Sequence, residues 1–212
     1  SVITDLYRMP KTMGQLAIVQ FFSWFALFSM WIYTTPAITS HVYNTTDTTS
    51  VAYNEGANLV GGMMGWYNLF AAFFGLAVLP WLARITNRKV THMIALIMGG
   101  AGLISLNFIT DAHQMVYSMI GIGLAWASIL AMPYAILTGA LPQSKMGVYM
   151  GIFNFFIVIP QIVAATLLGF MVKSMFHGES IYALIAGGIS MIVASVLVLM
   201  VDDVTHNAAR NA

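Results

Sequence analysis

The sequence has no cysteine and few charged residues. Its 212 residues include 8 Lys and Arg and 7 Asp and Glu, so only 7% of the chain is charged. The absence of cysteine excludes disulfide bonds and thiolate sites. A soluble domain normally carries about 25% charged residues, so a soluble fold would lack a polar surface. The net charge of +1 gives no indication of nucleic-acid binding, and we expect no nucleic-acid partner.

In place of charge, the chain has long apolar runs. Six stretches of 21 to 35 residues contain no Asp, Glu, Lys or Arg: 12–46, 56–83, 90–110, 112–144, 146–172 and 180–201. Each can cross a hydrocarbon layer of roughly 30 Å as a helix of about 20 residues. The runs are continuous, whereas barrel strands alternate over about ten residues. The sequence therefore predicts an all-α membrane protein with six transmembrane helices in a lipid bilayer.

The distribution of basic residues predicts an orientation. If the first span leaves the cytoplasm, only Lys173 lies outside, and seven of the eight basic residues are cytoplasmic: Arg8, Lys11, Arg84, Arg88, Lys89, Lys145 and Arg210. By the positive-inside rule, both termini of this segment are then cytoplasmic in a plasma or bacterial inner membrane. We divide the chain into a cytoplasmic lead (1–11), a transmembrane domain (12–201) and a cytoplasmic tail (202–212).

An internal repeat relates the second and fifth spans. Residues Met64–Phe70 and Met150–Phe156 share the pattern Met-Gly-x-aromatic-Asn-apolar-Phe, and the second copy begins 86 positions after the first. Because three spans separate the copies, they cross the membrane in opposite directions. The pattern predicts two inverted three-helix repeats, which is an arrangement typical of secondary transporters.

Polar side chains inside the spans are the candidates for a binding cavity. The amides Gln20, Asn68, Asn154 and Gln161 are either contacts between helices or part of a wet cavity, and their number favours the cavity. Gln20 and Trp24 share a face of the first span. An amide beside an indole suits a sugar, because the amide bonds hydroxyls while the ring covers the apolar C–H face. Trp31 on the same face is also compatible with the interfacial aromatic belt.

The complete set of predicted cavity residues adds two aromatic side chains of the fourth span. We expect these residues to bind substrate: Gln20, Trp24, Asn68, Trp126, Tyr134, Asn154 and Gln161. Pro133 and Pro160 each remove a backbone hydrogen bond inside a span and are candidate hinges.

Catalytic and metal-binding groups are scarce. None of the six spans contains Asp, Glu, Lys, Arg or Cys, so we expect no catalytic residue, no cofactor and no enzyme activity. The five histidines, at positions 41, 92, 113, 177 and 206, fall in loops or near span ends. We predict that they are interfacial residues and hold no metal.

Small residues predict close helix packing. A stripe on the second span, the glycine stripe, contains Gly61, Gly65, Asn68, Ala72 and Gly75, and small residues allow helix backbones to approach. We predict a purely structural role for the glycines of the third and sixth spans, because these spans carry no central amide, aromatic cluster or proline: Gly99, Gly100, Gly102, Gly187 and Gly188. We expect these two spans on the lipid-facing periphery.

The fifth span carries a resemblance to a known family. Residues Met150–Ile162, with Met-Gly-x-x-Asn and Pro-Gln, resemble the penultimate helix of sucrose transporters and their bacterial relatives. These form the glycoside-pentoside-hexuronide branch of the major facilitator superfamily. Gln20–Ala26, Tyr53–Gly56 and Met132–Leu137 look similar in the same order.

This resemblance implies the C-terminal half of a twelve-helix sugar–proton symporter that works by alternating access. The partners would be an N-terminal six-helix half, a disaccharide or glucoside such as sucrose or maltose, and protons, with the coupling acid expected in the other half. The chain begins with Ser1, and we expect a fragment of a longer protein. One departure is that the turn Leu82–Lys89 lacks the acidic residue and the glycine usual in the superfamily.

Two alternatives remain open. The first is a drug or metabolite exporter of the same superfamily, which would not bind disaccharides. The second is a membrane assembly subunit that transports nothing.

Overall fold

The computed structural model describes residues 2–210, and within them no β-strand occurs. Six helices are long and apolar enough to cross a membrane: α1 (Lys11–His41), α2 (Val51–Ile85), α3 (Arg88–Phe108), α4 (Ala112–Ala140), α5 (Gln143–Ser174) and α6 (Ile181–Val198). Short helices at Val2–Tyr7 and Val204–Arg210 flank them. The prediction of six membrane helices is confirmed.

Local sequence signals explain where two of the helices begin. The Ser50 hydroxyl accepts a hydrogen bond from the Tyr53 N–H, so α2 starts at Val51 and not at residue 56, where the charge-free run begins. The Asn87 side chain accepts from the Val90 N–H and starts α3. Both are N-cap residues that satisfy a backbone donor at a helix start. The beginning of α2 includes Glu55. Because a charge-free run cannot contain this residue, the run begins later than the helix.

The helices pack in a definite order. Helix α1 packs along α6, α6 along α3, and α3 along α4; α2 packs on α4, and α5 packs on α1. Helix α1 also contacts α2 and α4. Helices α1, α3, α4 and α6 thus form the buried part of the bundle, and α2 and α5 lie against it.

Helices α3 and α6 approach most closely at two glycines. A Cβ atom added at Gly100 would lie 2.7 Å from the Gly188 carbonyl oxygen and 2.6 Å from Ile192. A Cβ atom at Gly188 would lie 2.8 Å from the Gly100 carbonyl oxygen and 2.6 Å from Ile104. Such distances leave no room for a side chain, so the structural role predicted for these glycines is confirmed.

The exposed helices are α2 and α5. Only 11% of the most apolar stretch of α2 and 17% of that of α5 are buried, against 50% or more in the other four helices. Gly61 and Gly65 of the glycine stripe have no atom within 4 Å of an added Cβ. At Gly61 and Gly65 the close packing that we expected is therefore not made within the six helices, whereas a Cβ atom added at Gly75 would lie 3.9 Å from Ala127. Helices α3 and α6 are less peripheral than α2 and α5.

Substitution of Gly188 is expected to destabilise the bundle. Gly188→Ala should lower the free energy of unfolding by about 1–3 kcal/mol, because the new methyl group must displace α3 or Ile104. The matched control is Gly62→Ala on α2, where an added Cβ meets nothing within 4 Å. Denaturant unfolding of the purified protein in detergent measures both, and equal stability of the two variants would contradict the packing.

One end of the bundle, the basic end, holds the first and last described segments and the turns α2–α3 and α4–α5. There the Arg88 guanidinium donates from Nε to Asp203 Oδ2 at 3.0 Å and from Nη1 to the Ala135 carbonyl at 2.8 Å. Lys145 Nζ donates to Asp5 Oδ1 at 2.5 Å, and this hydrogen bond holds the pKa of Asp5 below its ordinary value. These ion pairs tie the terminal segments to the helix turns.

Candidate functional site

Five aromatic side chains from three helices form the aromatic cluster: Trp24, Phe28 and Trp31 of α1, Tyr67 of α2 and Trp126 of α4. Trp126 lies at its centre, with its ring centroid 5.9 Å from Trp24, 5.7 Å from Trp31 and 6.4 Å from Tyr67. All three contacts are edge-to-face, within the range in which aromatic pairs attract. The three α1 residues share one face because they are spaced i, i+4 and i+7.

A hydrogen bond fixes part of the aromatic cluster. Trp31 Nε1 donates to the Tyr67 hydroxyl oxygen at 3.1 Å, which ties α1 to α2. Trp31 therefore belongs to the cluster, although the sequence left it open between this face and the interfacial belt. Tyr67 was not among the predicted site residues. Tyr67 occupies the aromatic position of the repeated motif, which Phe153 occupies in the second copy. This position is the sequence signal that could have identified it.

An open groove runs beside the aromatic cluster between α2 and α4. Its volume is about 470 Å³, and it is lined by Asn68, Ala71, Ala72, Gly75, Leu76, Trp126, Ala127 and Leu130. Two predicted site residues, Asn68 and Trp126, thus lie in one groove. No lining residue is charged, so the groove suits a neutral solute.

Asn68 presents an incompletely used amide to this groove. Its Nδ2 donates to the Met64 carbonyl at 3.1 Å, and the side chain is exposed. An amide has two donor hydrogens and an acceptor oxygen. Asn68 therefore keeps one N–H and its carbonyl oxygen for a ligand.

The remaining predicted residues form a second group on α4 and α5. The Tyr134 ring lies 5.7 Å from Phe153 in an edge-to-face contact. Asn154 and Gln161 are exposed on α5. Within the described part of the chain neither amide has a hydrogen-bond partner, so both are available to a ligand or to another protein surface. Helix α5 packs on α1, whereas the groove lies between α2 and α4.

Gln20 and Trp24 differ from the other candidates because they are buried. Gln20 is fully buried, and its Oε1 lies 3.5 Å from the Ser23 hydroxyl. In the described residues, Gln20 Nε2 and Trp24 Nε1 have no hydrogen-bond partner. Buried polar groups are normally paired with protein or ordered water. These two donors lie one turn apart on α1 and require an acceptor that the six helices do not supply.

The two candidate hinges lie inside continuous helices. Pro133 is buried in α4 and Pro160 in α5. A π-helical turn, Ala164–Leu168, follows Pro160, and α2 has one at Phe74–Val78. Such turns occur frequently at functional sites. The hinge role stays a prediction.

The structure corrects the interpretation of one histidine. His92 lies inside α3 and is fully buried. The prediction that it is an interfacial residue is therefore wrong. The His92 Nδ1 atom is 2.7 Å from the Ser128 hydroxyl of α4. His92 lies near the start of the third charge-free run. The sequence of this run does not indicate which face of α3 packs on α4. In the described part of the chain, His, Asp and Glu residues form no group of three that could hold a metal ion.

Comparison with known proteins adds no identification. No family model matches the chain, and no curated protein matches it either.

Proposed function

We propose that this chain is the C-terminal half of a twelve-helix secondary transporter of sucrose, maltose or related glucosides, coupled to protons. The observation that carries the proposal is the groove beside the aromatic cluster, where the Asn68 amide and the Trp126 indole line one uncharged cavity. A glucoside needs both partners: hydroxyls bond the amide, and the apolar C–H face lies on the ring. The resemblance of residues Met150–Ile162 to sucrose transporters supports the same substrate class.

We further propose that the six helices are two inverted three-helix repeats. The contacts between α3 and α6 support this arrangement because they are reciprocal: Gly100 faces Ile192 while Gly188 faces Ile104. A two-fold axis in the membrane plane would produce such paired contacts. The helix neighbours agree, because exchange of the first three helices with the last three maps the α3–α4 contact onto α6–α1 and α2–α4 onto α5–α1.

Helices α2 and α5 carry the repeat most clearly. Gly61 and Gly65 of α2 correspond to Gly147 and Gly151 of α5 in the motif alignment. All four glycines are open, with no atom within 4 Å of an added Cβ. Each helix also contains one π-helical turn. A groove of about 470 Å³ lies between α1 and α5, as one of equal volume lies between α4 and α2.

The open faces of α2 and α5 support an N-terminal half as partner. Small residues four positions apart allow close helix–helix contact in membranes, and these four glycines are unused within the six helices. Helices of a second six-helix unit would cover them and close the substrate cavity from the other side. Rocking of the two units would then expose the cavity alternately to each side of the membrane.

The orientation follows from the basic end. We propose that this end, with both termini, faces the cytoplasm in a plasma or bacterial inner membrane, because it collects all described basic residues except Lys173. The loop between α1 and α2, which includes Asp47, would then be external.

An exporter of apolar compounds is the second candidate. The lining of the groove between α2 and α4 supports it, since seven of the eight residues are Ala, Gly, Leu or Trp. Such a transporter would bind lipophilic compounds without using the Asn68 amide.

Transport measurements on the full-length protein test the proposal. We expect liposomes with the full-length transporter to accumulate labelled sucrose or maltose when an inward proton gradient is applied. A protonophore should abolish accumulation, because the gradient supplies the driving force. Liposomes with residues 1–212 alone should match empty liposomes, since half of the cavity wall is missing.

Three outcomes would contradict parts of this proposal. Uptake by residues 1–212 alone would remove the need for a second half. Failure of the full-length protein to transport any glucoside would rule out glucosides as its substrates. Proton-driven export of a lipophilic dye without glucoside uptake would favour the exporter.

A further inference from the structure

The groove between α1 and α5 has the depth of one membrane leaflet. Its volume is about 470 Å³, and none of its lining residues is polar, from Met9 near the basic end to Phe21 of α1 and Phe156 of α5. Lys11, the first residue of α1, precedes Phe21 by ten positions, which is about 15 Å along a helix. This is half of a hydrocarbon layer of roughly 30 Å. An acyl chain that enters at the basic end can therefore lie along the groove.

Two basic residues lie where the groove meets the basic end. Lys11 shares a face of α1 with Gly14 and Ile18, because the three are spaced i, i+3 and i+7, and both Gly14 and Ile18 line the groove. Arg8 immediately precedes Met9, which also lines it. An apolar groove that ends at basic side chains is complementary to an anionic phospholipid, whose acyl chain is apolar and whose headgroup is negative.

Both basic side chains are available to a headgroup. Arg8 is exposed, and within the described residues its guanidinium takes part in no hydrogen bond or ion pair. Lys11 lies 4.0 Å from Asp202 Oδ2, and its side chain is 78% exposed, so this pair is weak. Lys145 of α5 differs, because its Nζ is already bonded to Asp5 at 2.5 Å. Arg8 and Lys11 are thus the cations that can turn to a phosphate without breaking a close ion pair.

The groove stays open when the proposed other half covers the glycines of α5. Gly151 and Phe156 are five positions apart, so their directions from the helix axis differ by about 140°. Asn154 and Ile159 have the same separation. The open glycine and the exposed amide therefore lie on one side of α5, and the two groove residues lie on another. A protein surface on the first side leaves the groove to lipid.

We propose that this groove, with Arg8 and Lys11, binds one anionic phospholipid of the leaflet at the basic end. An acyl chain lies in the groove, where it is removed from water and packs on apolar side chains. The Arg8 guanidinium donates two hydrogen bonds to phosphate oxygens, and the Lys11 ammonium adds a point charge. The site is independent of the sugar that we propose as substrate, because it includes neither the aromatic cluster nor the groove between α2 and α4.

Native mass spectrometry of the full-length protein tests this site. The protein, delipidated in detergent, is mixed with equal concentrations of phosphatidylglycerol and phosphatidylcholine that have the same acyl chains. We expect bound phosphatidylglycerol to exceed bound phosphatidylcholine by about tenfold or more, because two cations act on the anionic headgroup. Glycerol 3-phosphate at the same concentration has the charge without the acyl chains. It should not displace phosphatidylglycerol, since it buries no apolar surface in the groove.

Two pairs of substitutions test the position of the headgroup. Arg8→Gln with Lys11→Gln should lower the binding of phosphatidylglycerol to that of phosphatidylcholine. The matched control is Arg84→Gln with Lys89→Gln, which removes two positive charges from the turn between α2 and α3 at the same end of the bundle. This control should keep the preference, because the lost charges lie away from the groove.

A substitution that fills the groove tests the position of the acyl chain. A Cβ atom added at Gly14 meets only the end of the Met9 side chain, at 3.6 Å, which is an ordinary contact. Gly14→Leu should therefore place its side chain in the groove without moving α1. We expect the binding of both lipids to fall by about fivefold or more, with no change in the unfolding temperature of the delipidated protein.

Several outcomes would overturn the proposal. Equal binding of the two lipids, or an equal loss of preference in the two charge variants, would mean a diffuse attraction to the basic end. Displacement by glycerol 3-phosphate would mean an anion site that holds no acyl chain. Unchanged lipid binding by Gly14→Leu would place the acyl chain elsewhere. A lower unfolding temperature of delipidated Gly14→Leu would mean that a helix of the other half fills the groove.

Discussion

Replacing Asp203 with asparagine is expected to lower the free energy of unfolding by about 3 kcal/mol, because it leaves Arg88 as an uncompensated and partly buried charge. The Asp203 side chain is 2% exposed and that of Arg88 26%. Two guanidinium nitrogens bond the carboxylate, Nη2 at 2.5 Å and Nε at 3.0 Å. Asparagine retains an oxygen for the His206 N–H that Asp203 Oδ1 accepts at 3.3 Å. The substitution therefore removes the charge and keeps the start of the last helix.

The neighbouring aspartate provides the control. Asp202 lies 4.0 Å from Lys11, and its side chain is 46% exposed. Asp202→Asn should change stability by less than about 1 kcal/mol, as exposed ion pairs usually do. The double variant Arg88→Met with Asp203→Leu should recover part of the loss, since a buried pair can be replaced by apolar residues. Denaturant unfolding in detergent measures the stability of all three variants. Equal effects of the two aspartate substitutions would argue against a stabilising Arg88–Asp203 ion pair.

This ion pair bears on a difference between the sequence and the superfamily that it resembles. The turn Leu82–Lys89 lacks the acidic residue that the superfamily usually places there. In the structure Arg88 obtains its acidic partner from Asp203, at a separation of 115 positions. A search along the turn cannot find such a partner, because it depends on how the end of α6 packs beside α3. The charge of Arg88 in this turn is therefore satisfied by a residue outside the turn.

The six spans could be predicted because their signal is local. A charge-free run of the right length decides each helix without reference to its neighbours. The starts were less predictable, since Ser50 extends α2 beyond its apolar run. Trp24 and Trp126 were both predicted to line a cavity, and in the structure their rings are in contact. Tyr67 was missed because its contact with Trp31 depends on the packing of α2 against α1.

The amides illustrate the limit of sequence patterns. Gln20 and Asn154 have the same side-chain chemistry and both occur in apolar spans. The structure buries Gln20 fully and exposes Asn154. Which face of a helix is covered depends on the neighbours, and for α5 those neighbours include a surface outside this chain in our proposal.

Removal of the α5 amides is expected to weaken sugar binding strongly. Asn154→Ala or Gln161→Ala should each cost about 1–3 kcal/mol, or about 5- to 150-fold in apparent affinity, if the amide bonds a sugar hydroxyl. Neither side chain has a hydrogen-bond partner within the described residues. Their removal should therefore leave the packing of these six helices intact. Asn68→Ala should have an effect of the same order, because that amide lines the groove between α2 and α4.

Affinity and thermal stability measured on the same purified full-length protein separate the two roles of an amide. If an amide binds sugar, its removal lowers the affinity and leaves the unfolding temperature unchanged. If an amide ties the two halves together, its removal leaves the affinity unchanged and lowers the stability. The control is Gln143→Ala, an exposed amide at the basic end, which should change neither property. Loss of affinity only in Asn68→Ala would place the sugar against α2 and the aromatic cluster. Loss only in the α5 variants would place the sugar against α5. Unchanged affinity in all three variants would remove these amides from the site.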